Sequence, residues 1–309
     1  MPANPVKIKK YMSLITNDFA RSIAFSSNGK YLAVGTKNDG VLVYDVKDWK
    51  VIVELPHNYT VHSVEWSPNC MYLATGSTSG PIKIWNSDTW DISEVLDHSK
   101  ESMNLAWSPD GKFLVAGSWG RSDDNPYLDI WKTSDWSKIT TKAHRPRYVS
   151  FSPDSSLIAI NYKLEGIEIL SVSDFSRKTL LDFSNSEEYV SLYRPSWNND
   201  GSLIAASCGD GRIRIWQTKD WSEVITKQLH DYWDDGEYGV SFSPDGKYLL
   251  SGGFGEPKLL STDNWELIHH FPKGTLADLF DVSWSLDSQY IALILKNGKK
   301  VEVWEITNM

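Results

Sequence analysis

Cysteine is nearly missing from this sequence. Cys70 and Cys208 are the only two in 309 residues, too few for a disulfide framework or a thiolate zinc site. No run approaches the roughly 18 consecutive apolar residues that read as a membrane span. The leading segment MPANPVKIKKYMSLITN has no apolar core of the kind a secretory signal carries. These features point to the cytoplasm, with the nucleus the other compartment open to the chain. Positive charge is in deficit as well: 31 Lys and Arg against 40 Asp and Glu leave a formal net charge of -9. A nucleic-acid backbone or an anionic membrane needs a cationic face, so neither is expected as the main partner.

What the chain has in quantity is tryptophan, 15 residues of it, and the placement is periodic. The segments AFSSNGKYLAVG, EWSPNCMYLATG, AWSPDGKFLVAG, SFSPDSSLIAIN, SWNNDGSLIAAS, SFSPDGKYLLSG and SWSLDSQYIALI carry the anchor aromatics Phe25, Trp66, Trp107, Phe151, Trp197, Phe242 and Trp284. The anchors are 41, 41, 44, 46, 45 and 42 residues apart, matching or close to the roughly 40–45 of a four-stranded propeller blade. Each anchor ends a short apolar strand, and a Ser-Pro-Asp-Gly type turn leads into the next. A second column, Tyr44, Trp85, Trp131, Leu170, Trp216, Leu260 and Trp304, sits in alternating strands such as IKIW and IRIW. A third follows the first six of these by 5 residues, at Trp49, Trp90, Trp136, Phe175, Trp221 and Trp265. Of the tryptophans, only Trp119 and Trp233 fall outside the columns, so those two lack a repeat-wide structural reason.

These segments resemble the WD-repeat family, and the resemblance covers essentially the full chain. Val43-Tyr44-Asp45, Ile84-Trp85-Asn86 and Ile215-Trp216-Gln217 stand where that family has its Trp-Asp dipeptide. The family's Gly-His dipeptide is absent, and its hydrogen-bonded set of His, Ser/Thr, Asp and Trp is complete in no repeat. Packing, more than polar tetrads, is therefore expected to hold the blades. The resemblance implies an all-β, seven-bladed β-propeller with four antiparallel strands per blade, serving as a non-catalytic protein-interaction scaffold. After Trp304 only EITNM remains, too short for another strand, whereas YMSLITNDFARSIAF aligns with IVELPHNYTVHSVEW and sets Leu14 against Leu55. Residues 6–15 are thus expected to supply the outer strand of the last blade and close the ring, which removes an exposed edge. Residues 1–309 then read as a single domain, with repeats near 16–56, 57–97, 98–142, 143–183, 184–229, 230–271 and 272–309. A monomeric propeller is expected, alone or as a subunit of a larger assembly.

Loop lengths single out one face. In an antiparallel four-strand blade the a–b and c–d turns share one face and the b–c and d–a loops share the other, here called the top. From anchor to second column the spacing is 19, 19, 24, 19, 19, 18 and 20, and from third column to next anchor 17, 17, 15, 22, 21 and 19. Nearly all variation, including the insertion SWGRSDDNPY, therefore falls on the top, where binding residues are expected. Four residues before the anchors stand Arg21, His62, Met103, Arg147, Tyr193, Tyr238 and Phe280. Three before stand Ser22, Ser63, Asn104, Tyr148, Arg194, Gly239 and Asp281, and two before a plain core column begins. This change marks the top mouth of the channel.

The candidate partner-binding residues are the seven at minus four, with Tyr148, Arg194 and the loop residues Trp119, Arg121, Arg145, Tyr232 and Trp233. Arg and aromatic residues concentrate in interface cores. The Arg/Tyr sector suits an acidic segment of a protein or peptide partner, and the acidic aromatic loop LHDYWDDGEYG suits a segment bearing Lys or Arg. The plain structural reading is that these aromatics cover neighbouring loops and the charges are solvated. The alternative function is a propeller enzyme, such as a metal-dependent hydrolase, with Asp281, Asn104, His62 and Glu237 at the channel mouth. Those four come from different blades and show no nucleophile–base spacing. No cofactor and no metal is expected: HDYWDDGE lacks a spacing that fixes coordination, and adjacent His269 and His270 on an outer strand point to opposite faces.

Overall fold

Strands follow the repeat. The computed structural model describes residues 6–98, 101–119, 127–142, 146–162, 166–182, 194–231, 239–252, 255–272, 279–295 and 298–308. They form seven sheets of four antiparallel strands each, arranged as a seven-bladed β-propeller. Among the described residues no helix is long and apolar enough to cross a membrane. The innermost a strands are Ala20–Phe25, Val61–Trp66, Glu101–Trp107, Pro146–Phe151, Ser196–Trp197, Val240–Phe242 and Leu279–Trp284. Each ends on its anchor aromatic.

The ring closes where the sequence placed the closure. Val6–Ile15 pairs antiparallel with Lys300–Asn308, from Ile15 opposite Lys300 to Val6 opposite Asn308, with one register shift between Lys10 and Met12. Leu14 and Leu55, the residues the alignment matched, are both buried near the ends of outer strands. Because the blades stand side by side, the inner strands are covered on both faces and read as continuous apolar runs. Tyr31–Thr36 is buried at five of its six positions, whereas the rim strand Lys50–Leu55 is buried only at Leu55. The hydrophobic core is accordingly divided into wedges between blades. One joins Ile23, Val34 and Tyr44 of blade 1 to Ile294, Val301 and Leu14 of blade 7. Another joins Ile167 and Leu181 of blade 4 to Trp197 and Trp216 of blade 5.

The three aromatic columns have separate duties. Anchors Trp66, Trp107, Trp197 and Trp284 are buried, as expected. The third column is bulky yet left-handed: Trp49, Trp90, Trp136, Phe175, Trp221 and Trp265 all have φ between 55° and 63°. In the tight c–d turn the Trp90 amide donates to the Asn86 carbonyl at 2.8 Å, and Trp49 does likewise to Asp45 at 2.7 Å. A left-handed conformation costs an L-residue roughly 1–2 kcal/mol. The ring gives something back, packing edge-on against the anchor of its own blade, as Trp66 and Trp90 do at 6.1 Å and 77°. Such a pair contributes about 0.5–1.5 kcal/mol beyond the area it buries.

One expectation is refined. Three members of the polar set that the sequence leaves incomplete in every repeat are assembled in blade 3: His98 Nδ1–H donates to Asp129 Oδ2 at 2.8 Å and its Nε2 accepts from the Ser118 hydroxyl at 3.3 Å. The imidazole stands edge-on to Trp131. In blade 2, Thr75 Oγ1 meets His57 Nε2 at 2.9 Å and accepts from Trp85 Nε1 at 2.9 Å. His230 reaches Ser251 at 3.0 Å in blade 6. These histidines follow Pro56, Asp97 and Leu229 where the family has Gly, and Asp129 lies inside the c strand Tyr127–Lys132, so the dipeptide test missed them.

Two outcomes check this picture. Trp90→Ala and Trp90→Gly both lose the ring, but only glycine relieves the left-handed backbone. The glycine variant should be the more stable of the two by about 1 kcal/mol in urea unfolding; equal or reversed stabilities would contradict the assigned turn. Deleting Met1–Ile15 bares the Lys300–Asn308 strand as a long sheet edge, and aggregation or loss of cooperative melting is expected. Unchanged solubility and Tm would show that closure does not depend on this strand.

Candidate functional site

The channel wall is made by the a strands, and their backbone explains the change in chemistry at its mouth. A register shift interrupts pairing at Ala20/Ser22, Val61/Ser63, Ser102/Asn104, Pro146/Val149 and Leu279/Asp281. The inserted residues are Arg21, His62, Met103, Arg147 with Tyr148, and Phe280. A bulge bends the strand and re-aims its side chains. The strand therefore leaves the core where its residues turn from aliphatic to Arg, His and Tyr.

Just below, short polar side chains tie each blade to the next. The Ile23 N–H donates to Asp281 Oδ2 at 2.9 Å, Val64 to Ser22 Oγ at 3.1 Å, Leu105 to Ser63 Oγ at 2.9 Å and Val149 to Asn104 Oδ1 at 2.8 Å. One layer down, the indole N–H of Trp66 donates to the Ala24 carbonyl of the preceding blade, and those of Trp107 and Trp284 to Glu65 and Ser241. The series stops at blade 5. Pro195 has no N–H to give, and the Trp197 indole N–H finds no acceptor among the described residues.

Arg194 instead crosses the channel. Its guanidinium lies 3.5 Å from Asp281 Oδ1 and 3.9 Å from Glu65 Oε2. Asp281 also accepts from the Ser22 hydroxyl at 3.0 Å and the Val282 amide at 2.9 Å. Glu65 is the one charge in a column otherwise made of Ala24, Ala106, Ser150, Ser196, Ser241 and Ser283. Water reaches 32% of its side chain, but channel walls stand on every side, and this enclosure pushes its carboxyl up to about 7 although Arg194 pulls the other way. Enclosure raises Asp281 too, against Arg194 and its hydrogen bonds. The channel holds a cavity of about 450 Å³ bordered by Arg21, His62, Glu65, Tyr148, Arg194 and Asp281. His62 is pushed down to about 4, by burial first and then by Arg21 and Arg147. The Arg147 guanidinium lies 5.2 Å from the Tyr148 ring.

Of the sequence candidates, then, Arg21, His62, Tyr148 and Arg194 border one cavity and Arg147 adjoins them. Met103, Trp119 and Phe280 occupy strand positions, but their side chains lie outside the described residues. Arg121, Arg145, Tyr193, Tyr232, Trp233 and Tyr238 lie outside them altogether. Glu65 was missed, although a lone acid in a column of Ala and Ser was visible signal. His269 and His270 face apart as expected: one stands edge-on to Phe271 at 4.8 Å and the other pairs with Glu256 at 2.7 Å. Among the described residues no three His, Cys, Asp or Glu side chains are grouped to hold a metal.

Arg194→Leu would leave two enclosed carboxyls without their cation. We expect a loss of about 1–3 kcal/mol at pH 8, shrinking at pH 5 as Glu65 takes up a proton; equal losses at the two pH values would show that Arg194 does not serve the pair. The acid limb of stability has a sign that follows from the same groups. His57 and His62 are held at about 4 and His230 at about 3, burial being the main cause, against a usual 6.5. Their contribution is full above pH 6.5 and is lost as pH falls toward 4. Glu65, raised from 4.5 to about 7, acts oppositely, favouring the fold as pH falls from 7 to 4.5. Each group changes stability by at most about 1.4 kcal/mol per pH unit, so three histidines outweigh one glutamate. Tm should fall on acidification through this window, and more steeply in Glu65→Gln; a shallower fall in that variant would contradict the assignment.

Known proteins show what the chain is similar to. Residues 14–69 match the model described as anaphase-promoting complex subunit 4 WD40 domain, and residues 92–124, 179–217 and 229–255 match WD domain, G-beta repeat. Protein HIRA of Dictyostelium discoideum is 31% identical over 138 residues, 38% of this chain and 12% of that protein. Protein HIR1 of Phaeosphaeria nodorum is 32% identical over 119 residues, 34% of this chain and 11% of its own length. The chain thus spans about an eighth of these relatives or less. The crystal structure of the Myceliophteria thermophila Cps50 (Swd1) beta-propeller domain superposes with a TM-score of 0.79 at 13% identity, over 97% of this chain and 100% of that one.

Proposed function

The chain belongs to the WD-repeat β-propellers, with seven blades and degenerate repeats, and from that premise we propose that it is a non-catalytic scaffold that binds a protein or peptide on its top face. The observation that carries this reading is the set of backbone bulges at the channel mouth, which turn Arg21, His62, Arg147 and Tyr148 out of the core beside an open cavity. Residues with those side chains concentrate where interfaces gain most of their affinity. The top-loop candidates Trp119, Arg121, Arg145, Tyr232 and Trp233 extend the same surface in this proposal. The description matched by residues 14–69 names a complex subunit, which favours a role inside an assembly.

The enzyme alternative gains one observation, a carboxyl near neutrality in a cavity, since such groups often mark catalysis. Enclosure, with the charge of Asp281, accounts for that shift without chemistry, against the opposing pull of Arg194. The scaffold reading is therefore preferred.

Quantitative affinity purification tests it. Trp233→Ala combined with Arg121→Ala should keep the wild-type Tm and remove the proteins that co-purify with the unaltered chain. Leu286→Ser, at an exposed turn on the opposite face, should remove none. Retention of every partner by the top-face variant, or equal loss from both, would overturn the assignment of the face.

A further inference from the structure

Three kinds of hydrogen bond join neighbouring blades at the inner radius, and each recurs at fixed repeat positions. In the first, the N–H two residues before an anchor donates to the side chain three before the preceding anchor, as Val64 does to Ser22 and Val149 to Asn104, and likewise where blades 7 and 1 and blades 2 and 3 meet. In the second, an anchor N–H donates to the hydroxyl one residue before the preceding anchor: Phe25 to Ser283 Oγ at 2.9 Å and Phe242 to Ser196 Oγ at 3.1 Å. In the third, an anchor indole donates to the carbonyl of the residue at that same position, as Trp66 and Trp284 do to Ala24 and Ser241. Each seam has at least one of these bonds except the seam between blades 4 and 5, which has none among the described residues. Pro195 has no N–H for the first kind, and Tyr148 holds the acceptor position. The Ser150 hydroxyl, placed where Ser196 and Ser283 accept, is buried without a partner, and so is the Trp197 indole N–H whose equivalents reach the neighbouring carbonyl. Buried polar groups left in this state are costly, and opening the seam to water relieves them.

We propose that the seam between blades 4 and 5 is a hinge of the propeller, the place where the ring opens first at its inner radius. The flanking seams are fastened: Val149 ties blade 4 to blade 3, and the Phe242–Ser196 bond with the Arg194–Gly239 bridge ties blade 5 to blade 6. The two ends of the chain are fastened as well, by the ladder between Val6–Ile15 and Lys300–Asn308. The hinge itself is held by apolar packing, Ile167 and Leu181 of blade 4 against Ile204 and Trp216 of blade 5, and this wedge serves as the pivot. Contacts of that kind are non-directional and tolerate a small rotation that a hydrogen bond does not. Tyr148 and Ser150 on one side and Arg194, Ser196 and Trp197 on the other border the channel cavity. Opening here therefore widens the cavity from one wall, and the channel becomes an adjustable socket. The inference goes beyond the scaffold reading and does not depend on it, because the hinge is read out without a partner.

Restoring a missing bond tests the hinge. Pro195→Val supplies an N–H and Tyr148→Asn an acceptor, copying the Val149–Asn104 pair, and only together can they form the bond. Residue-resolved hydrogen exchange on the full wild-type chain should show Val149, Ser150, Phe151 and Trp197 exchanging ahead of the matched residues of blades 1 and 2, Ile23 to Phe25 and Val64 to Trp66. In the double variant exchange at the seam should slow by about fivefold beyond the product of the two single effects, and Tm should exceed that of either single variant. Single effects that merely multiply, matched residues that exchange together, or earliest exchange in Lys300–Asn308 would overturn the proposal. Should the double variant fail to melt cooperatively, the order of exchange in the wild-type chain decides alone: a lead at blades 4 and 5 supports the hinge, and any other order refutes it.

Discussion

The innermost strand of each blade has one sheet partner and one bare edge, and the molecule depends on how that edge is satisfied. Buried N–H groups must find acceptors, and here the acceptor comes from the neighbouring blade. Asp281, Ser22, Ser63 and Asn104 each take the N–H of the next a strand. Each bond fixes one blade against the next at the radius where the hydrophobic wedges are narrowest. The outer wedges supply the greater part of the burial, and the inner bonds set the angle at which the wedges meet.

Blade 5 satisfies the same constraint differently, and the difference opens the site. Pro195 presents no N–H, so Tyr148 of blade 4 is released from the acceptor duty that makes its equivalents Ser, Asn or Asp. Arg194 has no acceptor to offer blade 6, whose own equivalent, Gly239, has no side chain; the two are joined by a backbone bridge. Two positions on the channel wall are thereby freed for large side chains, and both hold candidates read from the sequence. Asp281 is shared between duties, holding the blade 7 to blade 1 junction and receiving Arg194. Arg194 is accordingly part scaffold, a spoke from blade 5 to the closure, as well as part of the proposed site.

The blade count, the strand order and the N-terminal closure were legible because they rest on spacing. Thirteen tryptophans in three columns cannot arise from local propensity alone, and the 5-residue step from second to third column is the length of a turn that forces its last residue left-handed. The polar sets were illegible because the test was a dipeptide and the physical requirement is only a histidine at the end of the outer strand; Pro56, Asp97 and Leu229 serve before it as well as Gly does. At the site, the mouth column was legible as a change of side-chain class, but not its cause. A bulge inserts one residue without altering composition, so the count back from the anchor reaches the bulged residue in five blades, whereas the alternation rule alone assigns no bulge.

The charge at the centre of the ring follows from geometry. An arginine that crosses a channel must be neutralised there, because water is too confined to screen it. Asp281 already accepts from two backbone amides and a hydroxyl, which spreads its charge over the closure. Glu65 supplies a second carboxyl from the opposite wall, in a column where every other blade places Ala or Ser. Enclosure raises that carboxyl to about 7, so one guanidinium faces two carboxyls whose joint charge changes with pH across neutrality. Above the layer, burial first and then Arg21 and Arg147 lower His62 to about 4. The place of Arg194 in this layer traces to Pro195, which leaves its blade with no N–H for the preceding blade to accept.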